Sequence, residues 1–199
     1  MTSTGSVGSD VQLRLFLALQ LPEPVLDALV AWSARELHAC RRLRREQLHV
    51  TLAFLGRRPA GDVPAIVAAL DEAAGAVEPF PLEPQRWRET AGVGMVVLGD
   101  PTGRATLLAD VLQRRLEELG VYRRERRPWL PHVTMARFRK RPRLDPPLPP
   151  VRTFVPSDAA AYLSELHPSG TRYRVLHSTR LGHMLSESRS STTTAPRGG

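Results

Sequence analysis

The string His49-Val50-Thr51-Leu52-Ala53-Phe54 has a near copy in His132-Val133-Thr134-Met135-Ala136-Arg137-Phe138. In a β-strand a residue and the one two positions later project from the same face, whereas in a helix they diverge by about 200°. Each string, placed on a strand, therefore presents an imidazole and a hydroxyl side by side. An imidazole with an ordinary pKa near ~6.5 accepts or donates a proton at neutral pH, and two facing imidazoles can hold opposite protonation states. A hydroxyl beside each donates a hydrogen bond to an anionic oxygen. The set suits a phosphodiester, whose charge must be held while one ester bond breaks and another forms. Two such strings imply one active site built from two similar halves. A lone strand histidine is usually structural, but two His-x-Thr strings with matching flanks would need a coincidence to arise without function.

Both strings read as strands. Val50, Leu52 and Phe54 form one apolar face, Val133 and Met135 begin another, and the His-Thr pairs are left on the opposite sides. Around them the chain alternates strands and helices. Residues 14–19 form a first strand, and residues 22–37 read as a helix with proline at its entry. Asp62 is placed to cap a helix that buries Val63, Ile66, Val67 and Leu70. Residues 79–87 and 93–98 make a hairpin pair. Residues 105–119 are a helix with Leu108, Val111, Leu112 and Leu116 on one face and Gly120 at its end. A proline-dense connection at 141–155 precedes a closing hairpin of residues 158–166 and 171–179 around Pro168-Ser169-Gly170.

With 199 residues, 42% hydrophobic and 24% charged, the chain makes one globular domain or two small packed lobes. We expect a single bilobal domain over residues 11–182, a disordered Gly/Ser/Thr-rich start at 1–10 and a disordered Ser/Thr-rich tail at 183–199. The net charge is +8 and the isoelectric point is near 11.0. Lys140 is the one lysine, so the excess is arginine. A dispersed arginine surplus is also what a solvated surface shows, so its total decides little. Its placement says more. Clusters at Arg41, Arg42, Arg44 and Arg45, at Arg57 and Arg58, at residues 123–127 and at 137–143 each lie close to a His-Val-Thr string. That favours a basic rim, because guanidinium groups grip phosphate bidentately.

Cys40, the single cysteine, excludes an intramolecular disulfide and fits a reducing compartment. No segment approaches the ~18 apolar residues of a membrane span, and the N-terminus lacks a basic-then-apolar signal pattern. The expectation is a cytoplasmic monomer with no membrane partner. Hard phosphate-binding metals want several carboxylates, and the motif strands carry none. His38, His167, His177 and His183 lack metal-ligand spacing and read as surface or structural residues. No metal and no cofactor is expected.

The chain resembles the two-histidine phosphoesterase superfamily, and specifically the bacterial and archaeal RNA 2′,3′-cyclic phosphodiesterases first called 2′-5′ RNA ligases. The resemblance covers about residues 13–181. It is carried by 14–19, by Leu48-His49-Val50-Thr51-Leu52-Ala53-Phe54-Leu55-Gly56, by Pro131-His132-Val133-Thr134-Met135-Ala136-Arg137, and by Ser164-Glu165-Leu166 with Gly170 and Tyr173. It implies an α+β bilobal fold in which two pseudo-symmetric antiparallel sheets, with helices outside, face a central cleft. It implies metal-independent hydrolysis of an RNA terminal 2′,3′-cyclic phosphate to a 2′-phosphomonoester, with reversible 2′-5′ ligation as the companion reaction. The partners are RNA ends or nucleotides bearing that cyclic phosphate. His49 and His132 are the catalytic pair, taken here with His49 as acid and His132 as base, and the reverse reaction swaps both roles. Thr51, Thr134 and Arg137 bind the phosphate. Strict alternation would put Arg137 on the face opposite His132 and Thr134, so its role requires a twist, a strand end or a bulge. Phe16 is read as core and Trp129 as a wall of the site. Two alternatives stand beside this reading: a phosphodiesterase for a small cyclic nucleotide or an ADP-ribose cyclic phosphate, and a non-catalytic RNA-end-binding module.

Overall fold

The computed structural model describes residues 11–38, 40–168 and 170–183. The ends expected to be disordered lie outside the described residues, apart from His183. In chain order the elements are β1 (Gln12–Leu19), α1 (Glu23–Glu36), β2 (Arg41–Arg42), β3 (Val50–Pro59), α2 (Val63–Gly75), β4 (Glu83–Glu89), β5 (Val93–Gly99), α3 (Arg104–Glu118), β6 (His132–Arg137), β7 (Asp158–His167) and β8 (Gly170–Arg180). All strand pairings are antiparallel. The order is β4-β5-β6-β3-β1-β7-β8, with the two-residue β2 on β6.

The two expected sheets are two four-stranded halves of one. One half is β3-β1-β7-β8 and the other is β4-β5-β6 with β2. They meet at one residue pair, Val50 opposite Val133. The motif strands are thus the inner edges of the two halves, and the join lies between the histidine and the threonine of each motif.

The helices cover the apolar face. In α1 the spacing of Val25, Leu26, Leu29, Trp32 and Ser33 makes one buried stripe. Trp32 packs 5.9 Å from Trp87 of β4, so this helix belongs to the half that its own neighbouring strand β1 does not. In α3 the stripe is Ala105, Leu108, Ala109, Leu112, Gln113 and Leu116. The helix closes with Val121 N–H on Leu116 and Gly120 N–H on Glu117, and Gly120 takes φ +69, a left-handed stop that costs glycine nothing. The expected Asp62 cap on α2 is a correction. Asp62 stands at the N-cap position but has helical backbone angles and makes no side-chain cap bond. The chain enters from a 3-10 turn at Ala60–Asp62, so Pro64, fixed at helical φ, starts the helix instead.

The proline-dense run after β6 is irregular apart from a bridge between Phe154 and Leu82. It is tied down by a buried carboxylate. Glu89 accepts from Leu144 N–H at 2.8 Å, Arg143 N–H at 3.0 Å, Arg141 Nε at 3.1 Å and Trp87 Nε1 at 3.3 Å. Burial by itself would raise this carboxyl, but the donors, Leu144 and Arg141 foremost, outweigh it and hold the group below the usual carboxylate range. Trp32 Nε1 also donates to the Pro147 carbonyl at 2.9 Å.

Candidate active site

The two motif strands carry the same local irregularity. From His49 to Phe54 the burial runs half-buried, buried, half-buried, buried, buried, exposed, and from His132 to Arg137 the sequence is identical. A regular strand would alternate throughout. The pairings show the cause. Against β1, Leu17 pairs with Ala53 and Ala18 with Thr51, so Leu52 is an extra residue. Against β5, Gly94 pairs with Ala136 and Met95 with Thr134, so Met135 is extra. A bulge therefore follows each threonine and turns two successive side chains into the core. Those are Leu52 with Ala53, and Met135 with Ala136. The next residue returns to the cleft.

This corrects one expectation and supplies the bulge that another required. Phe54 does not join Val50 and Leu52 on the apolar face. It is 49% exposed and stacks on Phe16 with ring centroids 5.6 Å apart. Arg137 comes back to the face of His132 and Thr134, where alternation alone had denied it a place; it is near enough to His49 to disfavour that ring's protonation, and it lines an adjoining cleft. Phe54 and Arg137 are equivalent positions in the two halves. The carbonyls released by the bulges are satisfied: Leu52 accepts from Gln113 Nε2 of α3 at 2.8 Å, and Met135 accepts from Leu43 N–H at 2.8 Å. The sequence held a sign of this in the alanine repeated two places after each threonine.

The Val50–Val133 pairing brings the four motif residues together. In an antiparallel register it sets His49 across from Thr134 and Thr51 across from His132. Each imidazole is oriented by a carbonyl two residues back. His132 Nδ1 donates to Leu130 at 2.8 Å, and His49 donates to the Gln47 carbonyl. A carbonyl only accepts, so these bonds fix one N–H on each ring and leave the other nitrogen for chemistry. Gln47 is itself anchored, its Nε2 on the Thr171 carbonyl at 2.9 Å. Trp129, the expected wall, donates from Nε1 to the Thr51 carbonyl at 2.9 Å and so braces one motif strand from the approach to the other.

The two histidines differ in their surroundings. His49 lies in an aromatic bed that the sequence did not reveal, 4.8 Å from Phe16, 5.5 Å edge-on to Tyr173 and 6.0 Å from Tyr162. Phe16 is fully buried, as expected of a core residue, yet it belongs to a small cluster with Ala18, Ala160 and Tyr162 on the cleft side. The bed strips water from the imidazole, and this burial is the main reason its pKa falls from 6.5 to about 4. The nearby His132 and Arg137 contribute to the same fall, and the Gln47 carbonyl opposes it. Of the other histidines, His177 pairs with Asp71 at 2.7 Å, and His38 bonds the Arg35 carbonyl. Neither faces the motif pair. Among the described residues no group of three or more His, Cys, Asp or Glu is placed to hold a metal ion, and no helix is long and apolar enough to cross a membrane.

Residues 22–167 match the family model described as the 2′-5′ RNA ligase superfamily. The chain belongs to that superfamily. Relatives in it include an RNA 2′,3′-cyclic phosphodiesterase of Thermus thermophilus, 34% identical over 82% of this chain and 88% of the relative. Another, of Escherichia coli and of the same name, is 28% identical over 82% and 93%. Superfamily members of known structure superpose well. A Thermus thermophilus crystal structure matches with a TM-score of 0.74 and 30% identity, covering 85% of this chain and 98% of that one. Apo Escherichia coli LigT matches with a TM-score of 0.72 and 25% identity over 85% and 98%. The superfamily's α+β architecture of antiparallel strands is the fold described above.

Proposed function

We propose that this protein is an RNA 2′,3′-cyclic phosphodiesterase that opens a terminal cyclic phosphate to a 2′-phosphomonoester. The observation that carries this is the meeting of two His-Thr pairs across the Val50–Val133 join, each imidazole held by a backbone carbonyl with its other nitrogen free. A water oxygen bonds to phosphorus and the P–O3′ bond breaks. One imidazole takes the water proton and the other gives a proton to O3′. Thr51 and Thr134 donate to the non-bridging oxygens, and Arg137 neutralises the charge that builds there.

The aromatic bed of His49 supports an order of roles opposite to the one taken from resemblance. A desolvated imidazole rests neutral and is ready to accept, so His49 is the base, and His132, free of that bed, is the acid. The motif strands bring no carboxylate to the site, which supports catalysis without a metal. The partly buried Cys40 supports a reducing, cytoplasmic setting, and we take the enzyme to act as a monomer on RNA ends.

The test is a short RNA ending in a 2′,3′-cyclic phosphate, incubated with the protein and a chelator, with the product read by phosphorus NMR. A 2′-phosphate is expected. A 3′-phosphate would reverse the leaving oxygen, and absence of turnover would overturn the reading.

A further inference from the structure

Beside His49 lies a cleft of about 290 Å³ whose walls include the guanidinium groups of Arg14, Arg41, Arg42 and Arg137. Elsewhere several arginines are neutralised by carboxylates. Arg45 pairs with Glu23 and Asp27, Arg104 with Glu78, Arg115 with Glu72, and Arg124 with Asp110. Among the described residues none of the four cleft arginines pairs with a carboxylate. Two of them are forced together by the backbone, since Arg41 of β2 stands directly opposite Arg137 of β6. Like charges in that position destabilise a sheet, and β2 has only two residues with which to offset it. Arg41 also reaches across to the β8 edge, where a Cβ added to Gly170 would sit 3.3 Å from its Nη2. Arg14 is held over the Phe54 ring, 5.7 Å from its centroid. With Arg137 engaged by the cyclic phosphate, Arg14, Arg41 and Arg42 remain as unpaired cations converging on one concavity, a site that an anion completes.

The cleft adjoins the catalytic pair through Tyr173, which lines it and also meets the His49 ring edge-on. Its remaining polar lining, Gln47 and Thr171 with the buried Ser164, is neutral and able to donate. At an RNA 3′ end that carries a 2′,3′-cyclic phosphate, the nearest further phosphoryl group is on O5′ of the same ribose.

We propose that this cleft is a second phosphate subsite, taking the O5′ phosphoryl group of the nucleotide whose cyclic phosphate lies between His49 and His132. This rests on the phosphodiesterase reading above. The subsite is blind to base identity, because a phosphate contact carries no sequence information. It accepts the same group from two sources, an internal phosphodiester of RNA or the 5′-phosphate of a mononucleotide.

The test compares kcat/KM for a nucleoside 2′,3′-cyclic phosphate, its 5′-phosphorylated form, and a dinucleotide ending in the cyclic phosphate. It uses the wild type, the double variant Arg41→Gln/Arg42→Gln and the single variant Arg14→Gln, each checked for fold by circular dichroism. Calorimetry on the matching 2′-phosphates, with and without the 5′-phosphoryl group, gives a readout independent of turnover. In the wild type the 5′-phosphoryl group is expected to raise kcat/KM and affinity at least about tenfold, the worth of one charge-assisted hydrogen bond. In the double variant that ratio should fall to within about threefold of unity. Equal kcat/KM with and without the group in the wild type, or an undiminished ratio in both variants, overturns the subsite and leaves the phosphodiesterase reading standing. Affinity for the 5′-phosphorylated 2′-phosphate that the double variant loses, without turnover of any substrate, does the reverse. A dinucleotide preferred over the 5′-monophosphate identifies RNA as the source, and the opposite order identifies a mononucleotide.

Discussion

Replacing His49 by glutamine, which does not titrate, should flatten the pH dependence of stability. The His49 pKa falls from 6.5 in the unfolded chain to about 4 in the fold. Between those values the unfolded chain binds the extra proton, so stability rises with pH across that window and is lost as pH falls through it. The shift corresponds to roughly 3 kcal/mol between the two protonation states, of which about 2 kcal/mol disappears between pH 7.5 and pH 5. The assay is urea unfolding of wild type and His49→Gln at those two pH values, followed by circular dichroism and fluorescence. The glutamine variant starts less stable because it leaves the aromatic bed imperfectly filled, so the readout is the change with pH and not the absolute value. The other ionisable groups are present in both proteins, so the difference between them isolates His49. The wild type should lose about 2 kcal/mol more than the variant over this interval. Equal losses would mean that His49 is not desolvated, and the assignment of His49 as base would lose its physical support.

The acid role proposed for His132 has its own signature. A cyclic phosphate with a phenolic leaving oxygen, such as catechol cyclic phosphate, needs little help from an acid, so His132→Ala should recover much of its lost rate on it while His49→Ala stays inactive; recovery by the His49 variant instead would exchange the roles. Thr51→Ala and Thr134→Ala should each lower kcat by about 10²-fold, the usual cost of one oxyanion donor, and a variant at wild-type rate would remove that threonine from the site. Glu89→Gln should destabilise the fold by about 2–3 kcal/mol, because a neutral amide replaces a carboxylate that four donors converge on. The Glu89 carboxyl sits below its ordinary range, so its contribution is present at neutral pH and lost as pH falls through its folded pKa. Chemical denaturation at pH 7 checks the magnitude, and a variant as stable as wild type would refute it.

What a local pattern can express was legible before the fold was known. The period of two at His-x-Thr, repeated, identified the strands and the four groups that face the cleft. The leucine spacing of α3 and its terminal Gly120 marked that helix to within a residue. Failures came where strand register was decided by a neighbour. Alternation counted along residues 49–54 or 132–137 alone misplaces Phe54 and Arg137, because the extra residue of a bulge is defined only against the partner strand. Asp62 is a good cap by residue type, yet the 3-10 turn before α2 fixed the backbone in a conformation where its side chain does not cap.

By itself the sequence determined which chemical groups this protein has and that they lie on strands, because residue type and backbone period are local properties. The tertiary structure decided where they meet and what surrounds them. The pairing of Val50 with Val133 joined the two His-Thr pairs into one site. Phe16, Tyr162 and Tyr173, drawn from three strands, desolvate His49. The contact of β2 with β6 gathered arginines from distant parts of the chain around one cleft. Each of these depends on contacts between residues far apart in sequence, and electrostatic environment is a property of such contacts, not of the residues that feel it.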